Sequence, residues 1–362
     1  MAIAGPGPEG HLPPEIGEEE VTRWRRALPD AIAVTGASGF VGHHVVDALL
    51  RCGRRPRLLL RDPRRLAPTL AASCDVVVGD LGDGEALAQL VRGQTLVVHL
   101  AGVVRAGSSA RFFEANARGT ARLVAALSAA APTARLVHVS SLAAAGPSPR
   151  PEGRSPEEEP APISAYGRSK LAGEAAVREL EGAWTVIRPP AIYGPRDTDM
   201  FQFFRLAARG VVPLPAGERW VTVAHVSDVV RAILQAADGR TDRRTLHVGE
   251  PAPRPMRELV AVLARAGGVS TRVLPLPAGV FRAAGLVGDG LQRLGFRRVA
   301  MTSDKARELV ARHWSARTAD SLAALGLAGA VPFLAGAAHT WSWYRSAGWL
   351  PHGKMHPART GP

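Results

Sequence analysis

Along this chain, short runs that are apolar at nearly every position alternate with stretches whose apolar residues recur at three- and four-residue intervals. AIAV (31–34), RLLL (57–60), DVVV (75–78), TLVVH (95–99) and RLVHV (135–139) predict strands, and residues 41–50, 85–91 and 112–130 predict amphipathic helices. A strand that is apolar on both faces has no side to give to water, so helices must cover it above and below. The expected fold class is therefore α/β, a doubly wound parallel sheet.

The alternation breaks at GPSPRPEGRSPEEEPAP (146–162), where prolines and charges are too dense to pair in a sheet and predict an exposed loop. A helix over 165–180 and a strand at WTVI (184–187) follow. Beyond these the order is less regular, with a strand over WVTVAHV (220–226), a helix over 227–237 and several C-terminal helices. Residues 1–29, rich in Pro, Gly and Glu, read as a flexible extension with a short helix near 18–26. The expected domains are an α/β core over 30–188 and a smaller C-terminal lobe over 189–350 interwoven with the last core elements. Residues 351–362 read as a flexible tail.

Composition changes this picture little. Of 362 residues, 46% are hydrophobic, ample for a buried core, and no run approaches the roughly 20 apolar residues that span a bilayer. A cytoplasmic protein is expected. Two cysteines, Cys52 and Cys74, predict free thiols and no metal site. The formal net charge of +13 is scattered over arginines, so it predicts no nucleic-acid partner; a small-molecule substrate is expected instead.

Candidate chemistry starts directly after the first strand. Gly36, Gly39 and Gly42 stand where that strand turns into a helix, and this context suits a pyrophosphate held by glycine backbone at a helix N-terminus. The core over 30–188 is thus expected to be a dinucleotide-binding domain of the Rossmann kind, and the lobe over 189–350 to bind substrate. After the second strand, Arg61 occupies the place of the ribose-binding carboxylate and suits a 2′-phosphate, which favours NADP(H), with NAD(H) kept open by the adjacent Asp62. Asp80 ends the third strand, and Ala101 and Gly102 follow the fourth, where backbone can lie against the cofactor.

Tyr166 and Lys170 are four residues apart, on one face of the predicted helix, and Ser141 ends the fifth strand. Bringing a tyrosine from its ordinary value to neutrality requires about 4 kcal/mol of differential stabilisation. A nearby ammonium, with the positive nicotinamide of an oxidised cofactor, can supply it. Tyr166 then exchanges a proton with a substrate oxygen that Ser141 holds, while hydride passes at the carbon. Only three of the 45 basic residues are lysines, at 170, 305 and 354, so Lys170 stands out as a compact charge where arginine is the rule.

These motifs together resemble the extended branch of the short-chain dehydrogenase/reductase superfamily, the NAD-dependent epimerase/dehydratase-like group. TGASGFVG (35–42), HLAG (99–102), VSS (139–141), YGRSK (166–170) and RPPAIYGP (188–195) occur in the family's order. Asn116-Ala-Arg-Gly119-Thr120 resembles its helix motif, and the segment from His225 to Val229 its later one. The likeness implies that Ser141, Tyr166, Lys170 and Asn116 are catalytic. It implies that Gly36, Ser38, Gly39, Phe40, Val41 and Gly42 contact the cofactor. Further contacts are implied for Arg61, Asp80, Leu81, Ala101, Gly102, Pro189 and Ile192, with Tyr166 and Lys170 shared. It also implies a homodimer through the helices over 112–130 and 165–180.

Departures from the family narrow the reaction. Leu142-Ala143 follows Ser141 where resembling sugar-nucleotide dehydratases carry an Asp-Glu pair, and Ala145 precedes Gly146 where many epimerases have tyrosine. Arg61-Asp62-Pro63 and the tail from Thr302 through Trp314 to Leu350 resemble the 3β-hydroxysteroid dehydrogenase and dihydroflavonol reductase-like group, whose members act on ketones or secondary alcohols of rather apolar molecules. The expectation is NADP(H)-dependent ketone reduction or alcohol oxidation. A sugar-nucleotide epimerase with retained NAD and a non-catalytic dinucleotide sensor or assembly protein are the alternatives. His43, His44 and His99 read as structural, and Tyr193 as packing or pocket lining. Residues 274–296, apolar with interspersed arginines, suit a cover over a hydrophobic substrate, a contact with a membrane surface, or plain lobe packing.

Overall fold

The computed structural model describes residues 14–294, 296, 299 and 301–351. Strands β1 (Ile32–Thr35), β2 (Arg57–Leu60), β3 (Asp75–Val78), β4 (Leu96–His99), β5 (Arg135–Val139) and β6 (Trp184–Arg188) form a parallel sheet. A seventh strand, Arg244–His247, was not expected from sequence and pairs parallel with β6. From edge to edge the order is Arg244–His247, β6, β5, β4, β1, β2, β3.

Both faces are covered because successive strand residues point to opposite sides. Ile32 and Val34 enter one core cluster with α1 (Glu18–Ala27) and α2 (Phe40–Arg51), whereas Ala33 enters the other with α4 (Gly84–Val91) and α6 (Gly119–Ala130). Each fully buried Val, Leu or Ile contributes about 1.5–3 kcal/mol by leaving water. Short α3 (Pro68–Ala72) precedes β3. Among the described residues no helix is long and apolar enough to cross a membrane, Cys52 and Cys74 are buried free thiols, and no cluster of metal-ligating side chains occurs.

The predicted helix over 112–130 is composite. Helix α5 (Ser109–Phe113) passes through a π turn at Glu114–Arg118 before α6 begins. Two further helices, α7 (Leu142–Ala145) and α8 (Ala165–Arg178), flank the proline-rich segment. That segment forms no sheet, as expected, but it is not simply exposed. Ser148 N donates to His313 O at 2.7 Å, Arg154 N to Ser315 O at 3.1 Å, and Arg154 is buried. The C-terminal strand segment supplies backbone partners the loop's own sequence lacks.

In the lobe, β7 (Ala191–Tyr193) pairs with β10 (Val223–His225), β8 (Val211–Pro215) pairs with β13 (Arg272–Leu276), and β9 (Trp220–Val221) lies between β12 (Arg254–Pro255) and β14 (His313–Trp314). The Arg244–His247 strand is β11. The single strand expected over 220–226 is therefore two, split at Thr222 between different sheets. Helices α9 (Phe201–Ala208), α11 (Met256–Gly267) and α15 (Phe333–Ser346) close the lobe core around Phe204, Leu263, Trp341 and Tyr344. Helix α12 (Ala278–Arg293) packs on α13 (Ser303–Val310), and α14 (Ala319–Ala324) lies against the large sheet.

The extension read as flexible carries α1, which is docked. Its Trp24 is buried and donates from Nε1 to Gln235 Oε1 at 2.8 Å, and Glu20 accepts from Arg231 at 2.8 and 2.9 Å. Arg231 lies fully buried on α10 (Val226–Gln235), so a charge in the core holds the helix in place. Residues 1–13 and the tail from 352 onward lie outside the described residues.

Candidate active site

At the end of β1 the chain turns through Gly36, whose φ of 77° is left-handed. A Cβ at Gly36 would stand 2.6 Å from Ala101 N, and one at Gly42 2.2 Å from Gly36 O. Both contacts would force backbone apart, so only glycine closes this turn. Ser38 and Gly39 are exposed at its tip, with Phe40 and Val41 half-buried in the first turn of α2, which has no side-chain cap. A glycine-tight cradle ending in an uncapped helix N-terminus fits a dinucleotide's pyrophosphate.

Farther along the strand ends, Arg61 is exposed beyond β2. Asp62 is committed locally: its carboxylate accepts from Arg64 N at 3.1 Å and Arg64 Nε at 2.9 Å, and Arg64 holds it below the usual carboxylate range. Asp80 accepts from Gly82 N at 2.7 Å, while Leu81 packs over Gly119. Ala101 N donates to Thr35 Oγ1 at 3.2 Å, and a Cβ on Gly102 would lie 2.8 Å from Asn116 Oδ1. Pro189 O accepts from Leu142 N at 2.8 Å, and Ile192 is half-buried on β7. Apart from Ile192, which lies within β7, these positions are at the carboxyl ends of parallel strands or in the turns that follow, where doubly wound sheets bind ligands.

The proton-handling residues converge on the same edge. Ser164 caps α8 by accepting from Gly167 N at 2.9 Å, and Asp304 of α13 accepts from Ala165 N and Tyr166 N. Lys170, one turn on, is buried and donates from Nζ to Val139 O at 2.8 Å. Burial pushes its ammonium down to about 8, with the Glu174 carboxylate opposing. Burial also pushes the Tyr166 phenol up to about 12, opposed by a hydrogen bond from the Ser141 hydroxyl and reinforced by Glu308 and Asp199. A phenol lowered toward neutrality is expected from Lys170 and the positive nicotinamide of an oxidised cofactor acting together. Among the protein's own groups burial dominates, and the phenol stays protonated. Phe112 covers it, with ring centroids 5.9 Å apart.

Asn116 is buried in the π turn and ties three segments together. Its Oδ1 accepts from Val103 N at 2.7 Å, and its Nδ2 donates to Val103 O at 3.0 Å and Ser169 Oγ at 2.9 Å. The loop after β4 is thereby fixed to α8. A π turn widens the helix by one residue, which aims a side chain that an unbroken α-helix would place elsewhere.

Two participants were not evident from sequence. Glu174 accepts from Arg188 Nε and a second guanidinium nitrogen at 2.8 and 2.6 Å, and from Ser140 Oγ at 2.6 Å. Burial alone would raise its carboxyl, but Arg188, Ser140 and Arg178 hold it below the usual range. Asp304 is the other. Both act across long sequence separations that no local pattern encodes.

Residues read as structural sit structurally. His99 is buried between Thr35 Oγ1 at 2.6 Å and Thr120 Oγ1 at 3.0 Å, and burial lowers its imidazole to about 3. His44 Nε2 bonds Pro195 O at 2.9 Å, and burial pushes His43 down to about 4. Tyr193 is buried between the rings of His225 and Phe333, so it packs.

Comparison with known proteins gives concordant likenesses. The model of the NAD dependent epimerase/dehydratase family matches residues 32–249. A ceramide reductase from Caulobacter vibrioides is 34% identical over 88% of this chain and 96% of its own length. A 4-hydroxy-2-methyl-3-oxo-4-farnesyl-3,4-dihydroquinoline-1-oxide ketoreductase from Stigmatella aurantiaca is 28% identical over 72% of this chain and 80% of its own. The solved structure of MoeE5 in complex with UDP-glucose and NAD overlays with a TM-score of 0.70 at 25% identity, covering 88% of this chain and 99% of that one.

Proposed function

The chain belongs to the NAD dependent epimerase/dehydratase family, and on that premise we propose that it uses NADPH to reduce a ketone on a long, apolar substrate. It is an NAD(P)-dependent oxidoreductase of this extended short-chain dehydrogenase/reductase family, which sets aside a non-catalytic sensor. The observation that carries the finer reading is the juxtaposition of the half-buried Tyr166 phenol with the Ser141 hydroxyl, with buried Lys170 one helical turn on. The two reductases above, one of a ceramide and one of a farnesyl-bearing ring, support an apolar ketone. So do Leu142 and Ala143, both buried, where a resembling dehydratase needs its acids. Placement in the 3β-hydroxysteroid dehydrogenase and dihydroflavonol reductase-like group, and a homodimer through 112–130 and 165–180, belong to the same reading.

The glycine turn, Asp80 and the strand-end residues through Pro189 hold the dinucleotide, which when bound supplies the hydride. Tyr166 gives its proton from Oη to the carbonyl oxygen as negative charge develops there. Ser141 donates a hydrogen bond to the same oxygen and fixes the carbonyl's direction. Lys170 stabilises the phenolate that remains, and Glu174 keeps Lys170 charged near neutrality. Asp62, engaged by Arg64, leaves Arg61 to meet a 2′-phosphate, which favours NADPH.

Tyr166→Phe is expected to slow ketone reduction by about 10²–10⁴-fold while NADPH binding, followed by fluorescence titration, is unchanged. Undiminished turnover in that variant overturns the reading. Tightly held NAD, with substrate epimerised and no net NADPH consumed, replaces it with an epimerase.

A further inference from the structure

Helix α12 has three faces, and only two have an evident purpose. Phe281, Gly285 and Gly288 recur at four- and three-residue intervals and are buried. This face packs on the segment leading into α13: a Cβ on Gly285 would lie 2.9 Å from Ser303 Cα, and one on Gly288 only 1.7 Å from Met301 O. A second face is polar. It carries the exposed Arg282 and Arg293 and Asp289, whose carboxylate accepts from Ser303 N at 3.1 Å.

The third face is apolar and open to solvent. Val280, Val287, Leu291 and Leu294 lie at i, i+7, i+11 and i+14, a single stripe down the helix. Val287 is 64% exposed and Leu294 77%, with Leu286 at 68% on the stripe's border and Phe296 at 60% just beyond. Exposed Leu274 of β13 and Val211 of β8 add to the same lobe's uncovered apolar surface. Contiguous apolar surface of this kind marks an interaction site.

Charge identifies the partner. Between residues 272 and 298 the sequence holds five arginines, Arg272, Arg282, Arg293, Arg297 and Arg298, against the single carboxylate Asp289, which is turned inward to Ser303. An apolar stripe with the exposed Arg282 and Arg293 on the adjoining polar face suits the acyl–headgroup boundary of an anionic lipid bilayer, where the stripe enters the apolar zone and these two guanidinium groups meet phosphate. The place is equally telling. Helix α13, on which α12 rests, supplies the Asp304 carboxylate that caps the helix bearing Tyr166.

We propose that α12 is a membrane-surface docking helix, which lays its Val280–Val287–Leu291–Leu294 stripe into an anionic bilayer and brings the Tyr166 site to lipid-borne substrate. The substrate part of this rests on the ketone reductase reading; the docking itself does not.

The test is co-sedimentation of the full chain with vesicles of phosphatidylcholine alone and of equimolar phosphatidylcholine and phosphatidylglycerol. The wild-type chain should pellet with the anionic vesicles and not with the neutral ones. The triple variant Val287→Glu, Leu291→Glu, Leu294→Glu should lose at least about tenfold in vesicle partitioning. Because these side chains face solvent, its circular dichroism and NADPH binding should match the wild type. Wild type that stays in the supernatant, or a triple variant that pellets equally, overturns the proposal. So does a wild-type dimer that the triple variant dissociates without any vesicle binding by either, since the stripe is then covered by a second copy. Reduction of a water-soluble ketone, assayed without vesicles, separates the two readings. Activity there without vesicle binding removes only the docking helix, and vesicle binding without ketone reduction removes only the assigned substrate.

Discussion

Arg188 clasps Glu174 through two hydrogen bonds, 2.8 and 2.6 Å long, in a part of the core where neither side chain reaches water. Removing one member of such a pair strands the other charge. Glu174→Leu is expected to destabilise the fold by about 3–5 kcal/mol in urea titrations, while the more exposed partner change Arg178→Leu costs under about 1 kcal/mol. Equal costs for the two variants would show that the pair is not what holds α8 to β6.

Asn116 should matter for catalysis more than for folding. Asn116→Ala leaves Val103 N and O without their partner and frees the loop after β4, at a stability cost of about 1–3 kcal/mol. Its kcat for ketone reduction should fall at least about tenfold, because the loop no longer has a fixed distance to α8. Stability loss with unchanged kcat would reduce Asn116 to a packing residue.

Cofactor choice can be read at one side chain. Loss of a charge-assisted contact to a 2′-phosphate, in Arg61→Ala, should lower the preference for NADPH over NADH about tenfold or more. The measurement is kcat/KM with each nucleotide. An unchanged ratio would place the discrimination elsewhere.

The pH dependence has a definite sign. Burial brings Lys170 from an ordinary 10.5 to about 8, so its charge is present below that value and lost above it. Tyr166 remains protonated throughout this range. Reduction, followed as kcat/KM, should therefore be level through neutrality and fall above about pH 8. Lys170→Met should be slow at every pH and show no break; a break that persists in it would belong to another group.

Much of this molecule is legible in the chain because its cues are local. RLLL, DVVV and RLVHV announce strands by themselves, and Tyr166 and Lys170 announce a shared helical face by their spacing. What escapes has distant causes. β11 reads RTLH, with one aliphatic residue, and becomes a strand through β6 on one side and a bond from His247 N to Ser321 Oγ. The run from Trp220 to His225 breaks at Thr222 because Thr222 N donates to Trp314 O, and Thr222 Oγ1 accepts from Ala316 N, 94 residues away. The docking of α1 likewise depends on Arg231, 211 residues after Glu20.

The position of β11 shapes how the chain is born. Residues 189–243 all leave the ribosome between β6 and the strand that shields its outer edge. Until residue 247 has emerged, β6 offers unpaired backbone to any neighbouring strand, and until Arg231 has emerged Glu20 of α1 lacks its partner. A fragment cut at the end of β6 would hold the glycine turn, Tyr166 and Lys170 yet expose a raw edge, so it should aggregate. Most of the large sheet is therefore made before the strand that closes its edge.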